Sequence, residues 1–165
     1  MTDDTEIINL NNTWCQRAID LILPIQQIEM GVPITIKDQP DLLDIEFNYI
    51  RPGGCFWGAV SGDQLRGTIA LMDNGHSAGT IRKMFVQKEF RGKEYGFAQQ
   101  LLETLIAYSR QRAITDLYLG TRESFKAAQR FYERNGFRRI NVEDLPSYFP
   151  RMMTDNVFYH LHLED

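Results

Sequence analysis

Apolar and polar residues change their period several times along the chain, and each change marks an element. Glu6 to Leu10 reads as a short strand, and Asn11-Asn12-Thr13 supplies a turn and a helix cap behind it. Trp14, Ala18, Leu21, Ile22, Ile25 and Ile28 keep helical spacing, with Pro24 placed to kink or split that helix. Asp38 to Pro40 opens a second helix, with Pro near its first position and Leu42, Leu43, Phe47 and Ile50 on one face. After Arg51-Pro52-Gly53-Gly54 the texture changes. Cys55 to Ser61, Gln64 to Met72 and Gly79 to Gln87 read as three successive strands, separated by turns at Gly62-Asp63 and Asp73-Asn74-Gly75.

Arg91-Gly92 then leads into a long helix with the apolar stripe Phe97, Ala98, Leu101, Leu102, Leu105 and Ile106, ending near Arg112. Leu117 to Gly120 is an apolar strand. A shorter helix follows, capped by Ser124, with Phe125, Ala128, Phe131 and Tyr132 facing inward and Gly136 as its stop. Phe137 to Asn141 and Asn156 to Leu163 are closing strands. This order predicts an α/β fold with a mixed sheet, antiparallel in the middle and parallel where a helix crosses between strands.

At 165 residues, 43% of them hydrophobic, the chain is sized for a single domain over residues 1–165 whose core needs no metal or disulfide staple. No internal repeat, low-complexity tract or linker divides it. Cys15 and Cys55 have no CxxC or CxxH neighbours, which excludes a disulfide scaffold and the usual zinc spacings and fits a reducing, cytoplasmic compartment. Met1-Thr2-Asp3-Asp4 carries no basic run or apolar stretch, so no secretory signal is expected. The most apolar helical stretch, Ala18 to Ile28, is broken by Asp20, Pro24 and two glutamines and is unsuited to spanning a bilayer.

Charge is unevenly spread. The net −4 divides into +7 between Arg82 and Arg139 and −11 over the remainder. A basic segment of this kind suits a compact polyanion, and solvated helix faces are the plainer alternative.

Within that segment, Ile81 to Phe97 (IRKMFVQKEFRGKEYGF) holds the candidate chemistry. A strand ends, a short loop turns, and a glycine-bearing stretch opens a helix, so backbone N–H groups and the positive helix end converge on one spot. Arg91 and Lys93 add full charges, and Gly92 and Gly96 permit close backbone approach. A helix start rich in turn residues is the alternative. The P-loop pattern fails, because Gln87 stands at the position of its first glycine and Glu94 follows Lys93; no G-x-G-x-x-G is present either.

A second stretch, YLGTRESFKAAQRFYERNGFRRI, couples a strand to a helix ending at Asn135-Gly136-Phe137. Together the two stretches resemble the GNAT superfamily of N-acetyltransferases over roughly residues 55 to 163. Arg91-Gly92-Lys93-Glu94-Tyr95-Gly96 looks like that family's [QR]-x-x-G-x-[GA] pyrophosphate loop, and Ala128, Tyr132, Gly136 and Phe137 look like its A-x-x-x-Y-x-x-x-G-F helix. The resemblance implies a mostly antiparallel central sheet flanked by helices, with a cofactor-binding core at about residues 78–140. It implies acetyl-CoA as cosubstrate without a metal, and direct acetyl transfer to an amine in a ternary complex. Met84, Phe85 and Val86 would pair with the pantetheine arm, and the backbone from Arg91 through Gly92, Lys93, Glu94 and Tyr95 to Gly96 would hold the pyrophosphate. Ser124, Lys126, Ala128 and Arg134 are further cofactor contacts on this reading, and Tyr132 would protonate the leaving thiolate.

The chemistry asks for such parts. Negative charge builds on the thioester oxygen as the amine attacks, which backbone donors near Val86 can stabilise, and the departing thiolate needs an acid such as a phenol. Tyr132 as a core aromatic with a satisfied hydroxyl is the alternative on the residues alone. Three positions depart from the family pattern: Glu94 stands where a glycine is usual, Phe125 where many members have Asn, and Thr80 where some have a catalytic Glu. No general base is therefore named.

Other patterns carry less. Gly75-His76-Ser77-Ala78-Gly79 matches the G-x-S-x-G of hydrolases, yet a strand rather than a helix follows it, so a hairpin turn is expected. His160 and His162 share a strand face without a third ligand nearby, so no metal site is expected. Basic and aromatic residues interleave from Lys83 to Phe97, but an RNA-recognition signature matches only at Arg91-Gly92, and no nucleic acid is expected. A non-catalytic acyl-CoA or nucleic-acid binding module is the alternative to an enzyme. The acceptor is expected to be a small-molecule or peptide amine. Where this fold builds its acceptor groove, Glu29, Asp38, Asp41, Asp44 and Glu46 suggest a cationic one, with Tyr49, Phe56 and Trp57 as an apolar wall and a solvated acidic surface as the alternative. A homodimer is compatible with the reading. Cys15 and Cys55 lie away from the cofactor segment, which disfavours a covalent acyl-enzyme.

Overall fold

The computed structural model describes residues Asp4–Glu164; the expectation for Met1–Asp3 and the last position, Asp165, lie outside the described residues. Seven strands, β1 (Glu6–Asn9), β2 (Cys55–Ser61), β3 (Gln64–Asp73), β4 (Ala78–Val86), β5 (Asp116–Thr121), β6 (Arg138–Ile140) and β7 (Val157–His162), form one sheet in the order β1-β2-β3-β4-β5-β7-β6. Three α-helices, α1 (Cys15–Pro24), α2 (Phe97–Gln111) and α3 (Lys126–Arg134), accompany it. The β1/β2, β2/β3, β5/β7 and β6/β7 pairs are antiparallel, and β4/β5 is parallel across the α2 crossover. This is the mixed α/β sheet the element order predicts. By contact density the chain divides into two compact units: residues up to Met72 with Arg82–Tyr108, and Asp73–Ile81 with the residues from Ser109 onward.

In the first unit, Asn11 caps a 3-10 turn by accepting the Thr13 N–H at 3.0 Å, and α1 follows. Pro24, which lacks an N–H, ends the α-helix, and the chain widens into a π-turn over Ile25–Glu29. Leu10, Ala18, Ile22, Leu42, Ile45, Tyr49, Phe56 and Ala70 form a fully buried cluster. At roughly 1.5–3 kcal/mol for each large side chain, this packing is the main stabiliser of the unit.

The expected second helix is not continuous. It resolves into 3-10 turns at Ile36–Asp38 and Pro40–Leu43 and a π-turn at Glu46–Ile50. Acidic side chains cap the starts of two pieces: Asp38 accepts the Thr35 N–H at 2.9 Å ahead of the first, and Asp44, extended at φ −151°, accepts that of Phe47 at 3.0 Å ahead of the last. The buried stripe is Leu42, Ile45 and Tyr49, at i, i+3 and i+7, whereas Leu43 and Phe47 are 60% and 57% exposed. Of the expected inward face, Leu42 is buried and Leu43, Phe47 and Ile50 are exposed.

In the second unit, the Gly75-His76-Ser77 segment is a left-handed turn with φ of 71°, 57° and 55°. Its Ser77 carbonyl accepts the N–H groups of Thr115 and Asp116, and β4 begins immediately after it. The G-x-S-x-G match is thus a hairpin turn, as its strand context predicts. The α3 helix has Phe125 rather than Ser124 at its N-cap, and Ser124 is exposed with no capping bond. Gln129, buried one turn into the helix, ties down the preceding loop: its Nε2 donates to the carbonyls of Arg122 and Glu123 at 2.8 and 3.0 Å. Gly136 at φ 88° stops the helix as expected.

Candidate functional site

The first unit holds the strand-to-helix segment. Inside β4, Lys83 adopts φ 55°, a left-handed conformation that costs a lysine free energy. Ala78 to Ile81 are buried in succession; beyond Lys83, Met84 and Phe85 are half-buried in succession before Val86 is buried again. Side-by-side approach to β3 stays close. Thr68 Oγ1 donates to the Lys83 carbonyl at 2.7 Å, the Gln87 N–H donates to the Arg66 carbonyl at 2.8 Å, and a Cβ on Gly67 would lie 3.2 Å from the Phe85 carbonyl oxygen.

The loop after β4 is shaped by Gly92 (φ 118°) and Gly96 (φ 67°), both left-handed and so suited to glycine. The Gly96 N–H bonds back to the Gly92 carbonyl at 3.1 Å. Between them, the N–H groups of Lys93, Glu94 and Tyr95 make no hydrogen bond among the described residues, and α2 begins directly after. An anion placed here meets free donors, the positive helix end and the Lys93 ammonium. Phe90, Tyr95 and Phe97 brace the loop through ring contacts of 5.5–6.3 Å, and the Arg66 guanidinium lies 4.2 Å from the centre of the Phe90 ring. The Glu94 side chain is exposed. Arg91 is engaged within the protein: its Nε donates to the Val86 carbonyl at 2.7 Å, and its Nη1 pairs with Glu29 at 2.7 Å.

The acidic residues of the early segment also have internal partners. Glu29 takes Arg91, Asp38 caps Thr35, Asp44 caps Phe47 and holds Asn12, and Glu46 accepts the Asn12 N–H. Asp41 accepts the Tyr49 hydroxyl at 2.5 Å and lies 3.4 Å from Lys83 Nζ. Glu29 and Asp41 thus face cations, while Asp38, Asp44 and Glu46 accept from neutral N–H groups that fix the local turns. Tyr49, Phe56 and Trp57 are at most 2% exposed, with Tyr49 edge-on to Phe56 at 5.1 Å and Trp57 edge-on to Tyr108 at 5.3 Å. They are core, not a wall. Burial raises the Cys15 and Cys55 thiols above their ordinary range, so neither is a ready thiolate nucleophile.

The second unit carries Tyr132. It is 5% exposed, edge-on to Phe131 and Phe137 at 5.4 and 5.3 Å. Its hydroxyl finds no hydrogen-bond partner among the described residues, and burial alone pushes the phenol well up from its usual range. A core tyrosine with a satisfied hydroxyl is therefore not what the fold builds. It holds a neutral O–H that keeps its proton at physiological pH. Nearby, Lys126 pairs with Glu123 at 2.8 Å, Ala128 is half-buried and Arg134 is exposed. His160 and His162 both contact the Asp116 carboxylate, at 2.8 and 3.0 Å, and no group of three or more His, Cys, Asp or Glu suited to a metal ion occurs among the described residues.

Sequence reasoning missed Lys83, Gln39 and Gln129. All three are polar yet at most 7% exposed, and with Arg82 beside Lys83 in the strand the sequence gives no sign that the lysine is the one buried.

A mixed sheet whose fourth strand leads through a glycine-shaped loop into a helix defines an α/β fold, and comparison with known proteins specifies it. The acetyltransferase (GNAT) family profile matches residues 19–137. An acetyltransferase of the GNAT family from Staphylococcus aureus MU50 is 39% identical, with 97% of this chain and 99% of that one covered at a TM-score of 0.93. N-acetylaspartate synthetase from Danio rerio is 36% identical over 102 residues, which is 61% of this chain and 36% of that protein. The chain thus spans about a third of that relative's length. A PaiA N-acetyltransferase from Thermoplasma acidophilum, solved with coenzyme A, shares the fold at 16% identity and a TM-score of 0.76 over 98% of this chain and 99% of that one. The chain belongs to the GNAT acetyltransferase family.

Proposed function

We propose that the chain is an acetyl-CoA-dependent N-acetyltransferase acting as a single domain, with a small-molecule or peptide amine as acceptor. The observation that carries this reading is the loop from Arg91 to Gly96, where two left-handed glycines leave three consecutive N–H groups unbonded at the start of α2. That arrangement suits a diphosphate, and family membership makes acetyl-CoA the diphosphate ester of choice. Met84, Phe85 and Val86 serve the pantetheine arm; Ser124, Lys126, Ala128 and Arg134 are assigned to the rest of the cofactor.

In the reaction the neutral amine attacks the thioester carbon. A C–N bond forms, the C–S bond breaks, the amine gives its proton to solvent, and Tyr132 donates its phenolic proton to the leaving sulfur, regaining one from solvent. Backbone donors near Val86 stabilise the oxyanion. A covalent acetyl-cysteine has no support, because both thiols are buried and raised. No helix among the described residues is long and apolar enough to cross a membrane. A cytoplasmic setting suits two unpaired thiols, and a homodimer is compatible with the scheme. Names of relatives such as N-acetylaspartate synthetase make amino acids the first acceptors to screen.

The test is a thermal melt with and without acetyl-CoA. Ligand at 100 times Kd contributes about 2.7 kcal/mol, which for a chain of this size raises Tm by roughly 5–10 °C. Arg91→Ala is expected to shrink the rise. No shift at millimolar acetyl-CoA overturns the reading.

A further inference from the structure

Lys83 is a buried lysine in the middle of a strand, and it is unusual on three counts. Its backbone is left-handed at φ 55°, a conformation that favours glycine. Its side chain is 4% exposed, and its Nζ donates to Gln39 Oε1 at 2.6 Å and pairs with Asp41 Oδ2 at 3.4 Å. Both partners are held in turn. The Gln39 amide donates to Gln26 Oε1 at 2.6 Å, and Asp41 accepts the Tyr49 hydroxyl. The Lys83 carbonyl is fixed separately by Thr68 Oγ1.

Burying an ammonium is costly unless it is paired and hydrogen-bonded, and a left-handed lysine adds backbone strain. Two unfavourable choices at one residue persist only where the surroundings over-determine them. Here they do: the side chain anchors to the Gln39–Asp41 segment, the carbonyl to β3. Just downstream, Met84 and Phe85 are both half-buried, between buried Lys83 and buried Val86.

We propose that Lys83 is a positioning residue whose buried ammonium, locked to Gln39 and Asp41, holds β4 in the left-handed turn of backbone that presents Met84–Val86 to the thioester arm. This rests on the acetyl-CoA reading above. It assigns the lysine no proton transfer and no contact with substrate.

Two substitutions separate the backbone from the charge. Lys83→Met fills the space but loses the anchor and keeps the strain. Lys83→Gly loses the anchor and the packing yet accepts φ 55° freely. Each is made alone and with Asp41→Asn, so that an unpaired buried carboxylate does not by itself unfold the chain. Acetyl-CoA affinity is measured by calorimetry, and amide hydrogen exchange is followed at Met84–Val86 in the free protein. Lys83→Met is expected to weaken acetyl-CoA about tenfold or more and to speed exchange at those amides, while Lys83→Gly stays within about threefold of wild type despite lower thermal stability. Equal affinities for wild type and Lys83→Met, or a glycine variant as impaired as the methionine one, overturn the role of Lys83. A wild type that binds no acetyl-CoA overturns the functional reading instead, and with it the purpose assigned to the strand.

Discussion

Tyr132→Phe removes one oxygen and leaves the ring among Phe131 and Phe137, whose centroids lie 5.4 and 5.3 Å away. Two effects are expected, and they point in opposite directions. The hydroxyl has no partner among the described residues, so its loss breaks no protein hydrogen bond and relieves a buried polar group. A buried unsatisfied group costs about 1–3 kcal/mol, and partial access to water at the hydroxyl discounts that toward the low end. Stability should therefore be unchanged or rise by up to about 1 kcal/mol, a Tm gain of roughly 0–4 °C. Catalysis should fall, because a positioned acid typically contributes 10²–10⁴-fold; a loss of about 10² in kcat corresponds to roughly 2.7 kcal/mol of barrier. Acetyl-CoA affinity should not change. Thiol release from acetyl-CoA, with an amine found by acceptor screening, measures the rate; a melt measures stability. A Tm lowered by several degrees would show that the hydroxyl is a structural donor. An unchanged kcat would remove Tyr132 from the chemistry.

Other consequences can be checked directly. Glu29→Gln frees the Arg91 guanidinium from its counter-charge; with both side chains over a third exposed, stability should move by less than about 1 kcal/mol, while acetyl-CoA affinity rises about twofold to fivefold in low salt and loses the gain in 0.5 M salt. Of the seven tyrosines, Tyr49, Tyr118, Tyr132 and Tyr159 have phenols raised chiefly by burial, Tyr159 to about 12. Groups with folded pKa values above the unfolded 10 contribute stability that is fully present below pH 10 and is lost as pH rises through the folded values. An alkaline absorbance titration should show the phenols of Tyr49, Tyr118, Tyr132 and Tyr159 ionising only above pH 10, in a cooperative unfolding step; seven identical, non-cooperative ionisations near pH 10 would contradict the burial. For the same reason, the pH profile of kcat/KM should show no falling limb from Tyr132 below about pH 10.

The strands were readable because each carries a continuous or alternating apolar run between turn residues, and their ends fell within a residue or two of those observed. The region after Asp38 was not. Two adjacent apolar stripes, Leu42-Ile45-Tyr49 and Leu43-Phe47-Ile50, both fit helical spacing there, and only tertiary packing buries the first. Ser124 has the chemistry of a cap, but the helix begins one residue later, with Phe125 at the N-cap position. The turn between β4 and α2 was legible through Gly92 and Gly96, which the structure places in left-handed conformations. The Lys83 anchor was not legible, since its partners Gln39 and Asp41 are more than forty positions away in sequence.

The pair of histidines on β7 carries one more implication. Burial pushes the Asp116 carboxyl up, but hydrogen bonds with His160, His162 and Thr115 and the charge of His160 more than offset it, holding it below the usual carboxylate range. An ionised carboxylate only accepts, so each ring must turn a hydrogen toward it. His160 reaches Asp116 Oδ1 through Nε2, and His162 reaches the same oxygen through Nδ1. When neutral, the two imidazoles are consequently set as opposite tautomers, ε for His160 and δ for His162. Two positions apart on one strand, the same residue type presents its bare nitrogen in two chemically different ways, a distinction that nitrogen NMR of the rings would register as two separate patterns.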